Sequence, residues 1–75
     1  SFCPPTKVDG DIVAGDITGN LYRYTNQLIQ KNMLTINESI VSIINTKGSS
    51  FYIFTKGGNL YSIEKASFLK SSSYR

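Results

Sequence analysis

Three carboxylates crowd one short stretch, DGDIVAGD, as Asp9, Asp11 and Asp16. Carboxylates this close can ligate Ca²⁺ or divide the roles of general acid and general base. A helix–loop–helix Ca²⁺ site needs alternating Asp/Asn positions, a central Gly and a closing Glu. Here the order is wrong and the Glu is missing. Acid–base catalysis needs a cleft and perturbed pKa values, neither of which the sequence carries. The three aspartates therefore read as turn residues that accept hydrogen bonds from nearby backbone N–H groups. There is no histidine, and Cys3 is the only cysteine. An internal disulfide is excluded, and so is a zinc site of several Cys or His ligands. No nucleophile has a base partner in view. The expectation is a non-enzymatic protein with no cofactor and no metal.

Other stretches with chemical potential reduce to turns and packing. Gly57-Gly58 and the run from Gly15 to Gly19 lie between strand-like segments. No helix start or Lys-Ser pair follows them, so they are not phosphate loops. Tyr22, Tyr24, Phe51, Tyr52, Phe54 and Tyr61 are interleaved in strand-like runs. Such rings can stack on sugars, but alternate aromatics more commonly pack between layers. Asn37-Glu38-Ser39 is a glycosylation triplet, which bears on function only in a secreted, carbohydrate-binding setting.

Charge is distributed unevenly along the chain. Residues 1 to 22 sum to −2 and residues 23 to 75 to +5, for a net charge of +3. A basic half favours an acidic partner. The lysines at 31, 47, 56, 65 and 70 are spread singly, as on a solvated β surface, without the clustered patch that nucleic-acid binding requires. Lys31, Lys47 and Lys56 are the candidate partner-binding groups. No apolar run nears the ~18 residues of a membrane span, and no signal peptide opens the chain. The lone thiol fits a reducing, cytoplasmic setting. The missing initiator Met points to a processed piece or a fragment.

The elements that would hold these residues follow a period of two. Segments 11–15, 20–25, 28–36, 39–46, 51–55 and 59–64 are β-branched or aromatic and read as strands, with an outer strand at 66–70 and a first inner strand around Phe2 and Cys3. In 20–25, Leu21 shares a face with Arg23, and Tyr22 with Tyr24. DITGN at 16–20 and TKGGN at 55–59 place glycine before the returning strand, where a left-handed residue closes a hairpin. KVDGD at 7–11 and NTKGSS at 45–50 are further tight connections. No crossover helix intervenes, so the fold is all-β and antiparallel.

Gly-Asn-Leu-Tyr occurs twice, at 19–22 and 58–61, thirty-nine residues apart. At that offset strand falls on strand and turn on turn: Ile12 on Phe51, Val13 on Tyr52, Ala14 on Ile53, Asp16 on Thr55 and Tyr24 on Ile63. A period of about 40 with four short strands per unit is that of a β-propeller blade.

The chain resembles WD40-type repeats in SFCPPTKVDGDIVAGDITGNLYRY, with Tyr24 and Ile63 in place of the closing Trp. Ile36-Asn37 stands where such repeats carry a Gly-His pair, so the His-centred hydrogen-bond network is expected to be missing. DGDIVAGDITGNLYRY is most similar to blades of the echinoderm microtubule-associated protein-like family. The resemblance implies about two four-stranded antiparallel blades, incomplete on their own: residues 1–37 a first blade and 38–75 a second, truncated at its outer strand. It further implies a structural, protein-interaction scaffold in the cytoplasm, cytoskeleton or cilium. Its partners would be proteins such as tubulin or microtubules, not nucleic acid or membrane, together with further blades from the same chain or from other copies. The alternative is a carbohydrate-binding propeller assembled from short repeats, as in tachylectin- or tectonin-like lectins. An outer-membrane scaffold of pyrroloquinoline-quinone-type repeats, which share DGNLYALD-like turns, is a further reading.

Overall fold

The computed structural model describes residues 3–74. Eight strands run in chain order: β1 (Thr6–Val8), β2 (Asp11–Gly15), β3 (Asn20–Tyr24), β4 (Gln30–Thr35), β5 (Ile40–Ile44), β6 (Ser50–Thr55), β7 (Leu60–Glu64) and β8 (Lys70–Tyr74). They form two four-stranded antiparallel sheets, β1-β2-β3-β4 and β5-β6-β7-β8, each a plain meander. The chain is thus all-β, with two sheets and no helix among the described residues.

Turn chemistry sets the meander. Asp9 (φ 50) and Gly10 (φ 83) form the two-residue loop between β1 and β2, closed by the Val8–Asp11 pair. Positive φ at both central residues is the requirement of a type I′ hairpin. The β2–β3 and β6–β7 hairpins are built alike. In the first, Asp16 N donates to Asn20 O and Gly19 N to Asp16 O; in the second, Thr55 N donates to Asn59 O and Gly58 N to Thr55 O. Gly19 (φ 97) and Gly58 (φ 85) both take the left-handed conformation expected of them.

The pairing register confirms the offset of thirty-nine. Val13 opposes Arg23 where Tyr52 opposes Ser62, and Ala14 opposes Tyr22 where Ile53 opposes Tyr61. The core is a single cluster that joins Val8, Val13 and Leu21 of the first sheet to Ile40, Phe51, Ile53, Ile63 and Phe68 of the second. Gly15 lets the sheets meet closely: a Cβ there would lie 2.6 Å from Ile40 Cγ2.

Burial does not follow the repeat. Val13 and Leu21 are fully buried, whereas their counterparts Tyr52 and Leu60 are only partly so. Conversely Phe51, Ile53 and Ile63 are fully buried, and their counterparts Ile12, Ala14 and Tyr24 are partly open. One face of the first sheet therefore packs on the opposite face of the second. Two repeats related by a local two-fold axis would bury equivalent positions; these stack in one direction.

Two expected strand positions are corrected. The first inner strand is Thr6–Val8, not the stretch around Cys3; Cys3 N still donates to Gly15 O at 2.9 Å, beside the same neighbour, and Phe2 lies outside the described residues. Two prolines, Pro4 and Pro5, separate Cys3 from the strand and supply no N–H for a ladder. The outer strand is Lys70–Tyr74, not 66–70. Residues 65–69 instead form a turn, in which Phe68 (φ 59) swings its ring into the core against Phe51, centroids 5.9 Å apart.

The glycines of the two hairpins separate conformation from contact. A Cβ on Gly58 would meet nothing within 4 Å, whereas one on Gly19 would lie 2.6 Å from Glu38 N and 2.8 Å from Asn37 N. Gly58→Ala should cost only the left-handed backbone penalty, about 1–2 kcal/mol. Gly19→Ala should cost distinctly more, as a larger drop in the urea midpoint, because backbone cannot yield as a side-chain tip can.

Candidate interaction surfaces

The chemistry-bearing residues fall at two ends of the stacked sheets. One end holds the β1–β2, β3–β4, β5–β6 and β7–β8 turns; the other holds the β2–β3 and β6–β7 turns and the linker 36–39. Asp9 and Asp11 lie at the first end. Asp16 lies at the second, five residues along an extended strand from Asp11, or about 16 Å. The three carboxylates do not converge, and the described residues hold no group of three or more His, Cys, Asp or Glu able to ligate a metal.

At the first end, Arg23 ties the sheets together. Alternation along β3 puts it on the buried face with Leu21, and it is 6% exposed. Its Nε donates to Asp11 Oδ2 at 2.9 Å, its Nη1 donates to the Lys65 carbonyl, and its guanidinium lies 5.8 Å from the Phe68 ring centroid. Asp11 reaches it as a diagonal cross-strand neighbour, since Val13 is the residue directly opposite. Lys31 Nζ also donates to Asp11 Oδ2, at 3.2 Å. The Lys31 ammonium first, and then Arg23, hold the Asp11 carboxyl below its ordinary pKa, against the opposing effect of burial. Asp11 is therefore an ion-pairing strand residue and not the turn aspartate expected from sequence. Lys65 is not a solvated surface lysine either: it is buried, its Nζ donates to Thr46 O and lies 3.8 Å from Asp9 Oδ1. Asn45 Nδ2 closes the seam by donating to Lys7 O.

At the second end a carboxylate organises each hairpin. Asp16 Oδ1 accepts from Asn20 N (2.9 Å), Thr18 N (3.1 Å) and Thr18 Oγ1 (2.7 Å), and Tyr22 OH donates to Oδ2. This is the turn role expected of it. The Asn20 N–H, followed by the Thr18 donors, keeps its pKa low. In the second hairpin Thr55 replaces Asp16, and the carboxylate comes from the linker. Glu38 Oε1 accepts from Thr55 Oγ1 (2.8 Å) and Asn59 Nδ2 (2.7 Å), and Tyr61 OH donates to Oε2. In the sequence Glu38 stands out only as the middle of the Asn37-Glu38-Ser39 glycosylation triplet. The signal available was the Asp16–Thr55 mismatch within an otherwise matched repeat, which leaves Tyr61 and Asn59 in need of a carboxylate.

The three candidate lysines do not form one patch. Lys31 lies on β4 at the first end and is engaged by Asp11. Lys47, in the β5–β6 turn, and Lys56, in the β6–β7 turn, are exposed at opposite ends of β6. No helix among the described residues is long and apolar enough to cross a membrane. No protein-family model matches this chain, and no curated protein or solved structure matches it either.

Two outcomes are expected from these contacts. Asp11 and Asp16 have folded-state pKa values below the ~3.9 of an unfolded aspartate, so their contribution to stability is complete above that value and is lost as pH falls through the lower folded values. Urea midpoints should therefore be insensitive to these two groups from neutral pH down to about pH 5 and fall below about pH 4. Asp11→Asn should lower stability by about 2 kcal/mol at neutral pH and make the acid-side decline shallower; the loss is smaller than the ~3–5 kcal/mol of a fully buried pair because Asp11 keeps some water contact. Glu38→Gln should cost about 1–3 kcal/mol by the same measurement, since three donors lose a charged acceptor.

Proposed function

We propose that this chain is a structural, protein-interaction scaffold: two successive blades of a WD40-like β-propeller, residues 1–37 and 38–75. It works by presenting loop ends to a protein partner and performs no catalysis. The observation that supports this best is the one-way stacking of two matched meanders thirty-nine residues apart, with Val13 and Leu21 against Phe51, Ile53 and Ile63. Radially repeated sheets pack this way, each using one face for the preceding unit and the other for the next. The carboxylate of Glu38, bonded to Thr55, Asn59 and Tyr61 of the β6–β7 hairpin, supports it further, because it organises the second unit right after Ile36-Asn37, where such repeats carry the Gly-His pair that this chain lacks.

The expected partner is an acidic protein surface of the microtubule kind, in the cytoplasm, cytoskeleton or cilium. The support is the +5 charge of residues 23–75 and the resemblance in DGDIVAGDITGNLYRY. Lys47 and Lys56 are the solvent-facing contact groups. A partner engaging both must span β6, about 20 Å. Lys31, on β4 of the other sheet, is the third candidate contact, but its ammonium also holds Asp11, so it is a poor site for a clean test.

Cosedimentation with taxol-stabilised microtubules tests this reading. The chain should pellet in a salt-sensitive manner, and Lys47→Glu with Lys56→Glu should lower the bound fraction several-fold without changing the melting transition. Absence of pelleting at microtubule excess and low salt would remove microtubules as the partner.

A further inference from the structure

One-way stacking leaves two different sheet faces uncovered. The first sheet shows Ile12, Ala14, Met33 and the stacked Tyr22–Tyr24 pair, ring centroids 6.3 Å apart. The second shows Tyr52, Phe54 and Leu60 beside Ile44 of β5. Met33 is 55%, Ile44 48% and Phe54 41% exposed.

We infer that these two faces are the halves of one interface, and that the occupant is a second copy of this chain docked head to tail. The inference rests on the blade reading above and names its partner. The shift of thirty-nine residues that carries the first sheet onto the second also carries the face of Val13, Gly15 and Leu21 onto that of Tyr52, Phe54 and Leu60. It carries the face of Ile12, Ala14 and Tyr24 onto that of Phe51, Ile53 and Ile63. The open faces are therefore the counterparts of the two faces that already meet inside the chain, and a second copy offers the missing half to each. The contact continues the existing sheet–sheet interface.

The β3–β4 turn supplies a second, independent observation. Leu28 (φ 64) and Phe68 (φ 59) hold the same left-handed conformation in corresponding turns. For a bulky residue this costs about 1–2 kcal/mol and persists only where something offsets it. At Phe68 the offset is visible: the ring is 2% exposed, beside Phe51 and under Arg23. Leu28 is 72% exposed. In the docked pair Leu28 of one copy takes Phe68's role against the open face of the other, at the Ser62 end of β7.

The interface joins unlike surfaces, so it propagates until it closes into a ring or continues as a filament. With two sheets per copy, about two to four copies would supply the 4–8 sheets of common rings.

Sedimentation velocity on the full chain tests this, with one variant blocking each face. Phe54→Asp places an unpaired charge on one half of the interface, and Leu28→Asp on the other. The unaltered chain should sediment as multiples of 8.3 kDa as its concentration rises. Each variant alone should remain at 8.3 kDa, and an equimolar mixture should form a dimer that grows no further. Should either aspartate variant lack the β circular-dichroism signature, Phe54→Ser and Leu28→Ser replace them. A chain that stays monomeric at every concentration, variants that associate as the parent does, or a mixture that stays monomeric would each overturn the proposal. Amide protection retained by both sheets in such a monomer would leave the blade reading standing while the second-copy partner fell.

Discussion

A β-sheet with apolar side chains on both faces must be covered on both, and a single partner sheet covers only one. The way this chain's two sheets pack follows from that constraint. Each meander carries large apolar residues at odd and even positions alike: Ile12 and Val13, Leu21 and Tyr22, Phe51 and Tyr52, Ile53 and Phe54. Here two such sheets pack on each other. The two sheets satisfy the demand halfway, with one inner interface and two outer faces, and they do so in a fixed direction because the repeat has distinct front and back surfaces.

The ends of the stack are secured by polar groups rather than by more hydrophobic area. Hydrogen bonds add direction to a contact that dispersion and water exclusion leave nearly free to slide. Arg23 reaches the Lys65 carbonyl from one sheet to the next at one end, while Glu38 gathers three donors at the other. Each buried charge has a partner: Arg23 has Asp11, Lys65 has the Thr46 carbonyl and Asp9, and no buried side-chain nitrogen or oxygen among the described residues lacks a hydrogen bond. An unpaired guanidinium at Arg23's depth would cost more than its packing returns.

Most of the fold was legible in the amino-acid sequence because its determinants are local. Period-two runs marked β2, β3, β6 and β7, and Gly19 and Gly58 marked the turns whose left-handed conformation they adopt. The pairing of Leu21 with Arg23 on one face was readable too, though not which face is buried. Errors gathered where tertiary contact overrides local preference. Residues 66–70 read as an outer strand, but Phe68 gains more by turning into the core, and β8 starts only at Lys70. The roles of Asp11, Lys65 and Glu38 are hidden from the sequence for one reason: each is defined by a partner twelve or more positions away, which composition and spacing do not encode.

Direction of stacking is the central claim, and proton–proton contacts measured by NMR on the chain in solution test it most directly. The methyl groups of Val13 and Leu21 should show cross-peaks to Phe51, Ile53 or Phe68 and none to Tyr52 or Phe54. Cross-peaks from Val13 and Leu21 to Tyr52 and Phe54, their own counterparts in the second sheet, would mean that like faces meet across a local two-fold axis. That result would contradict the account.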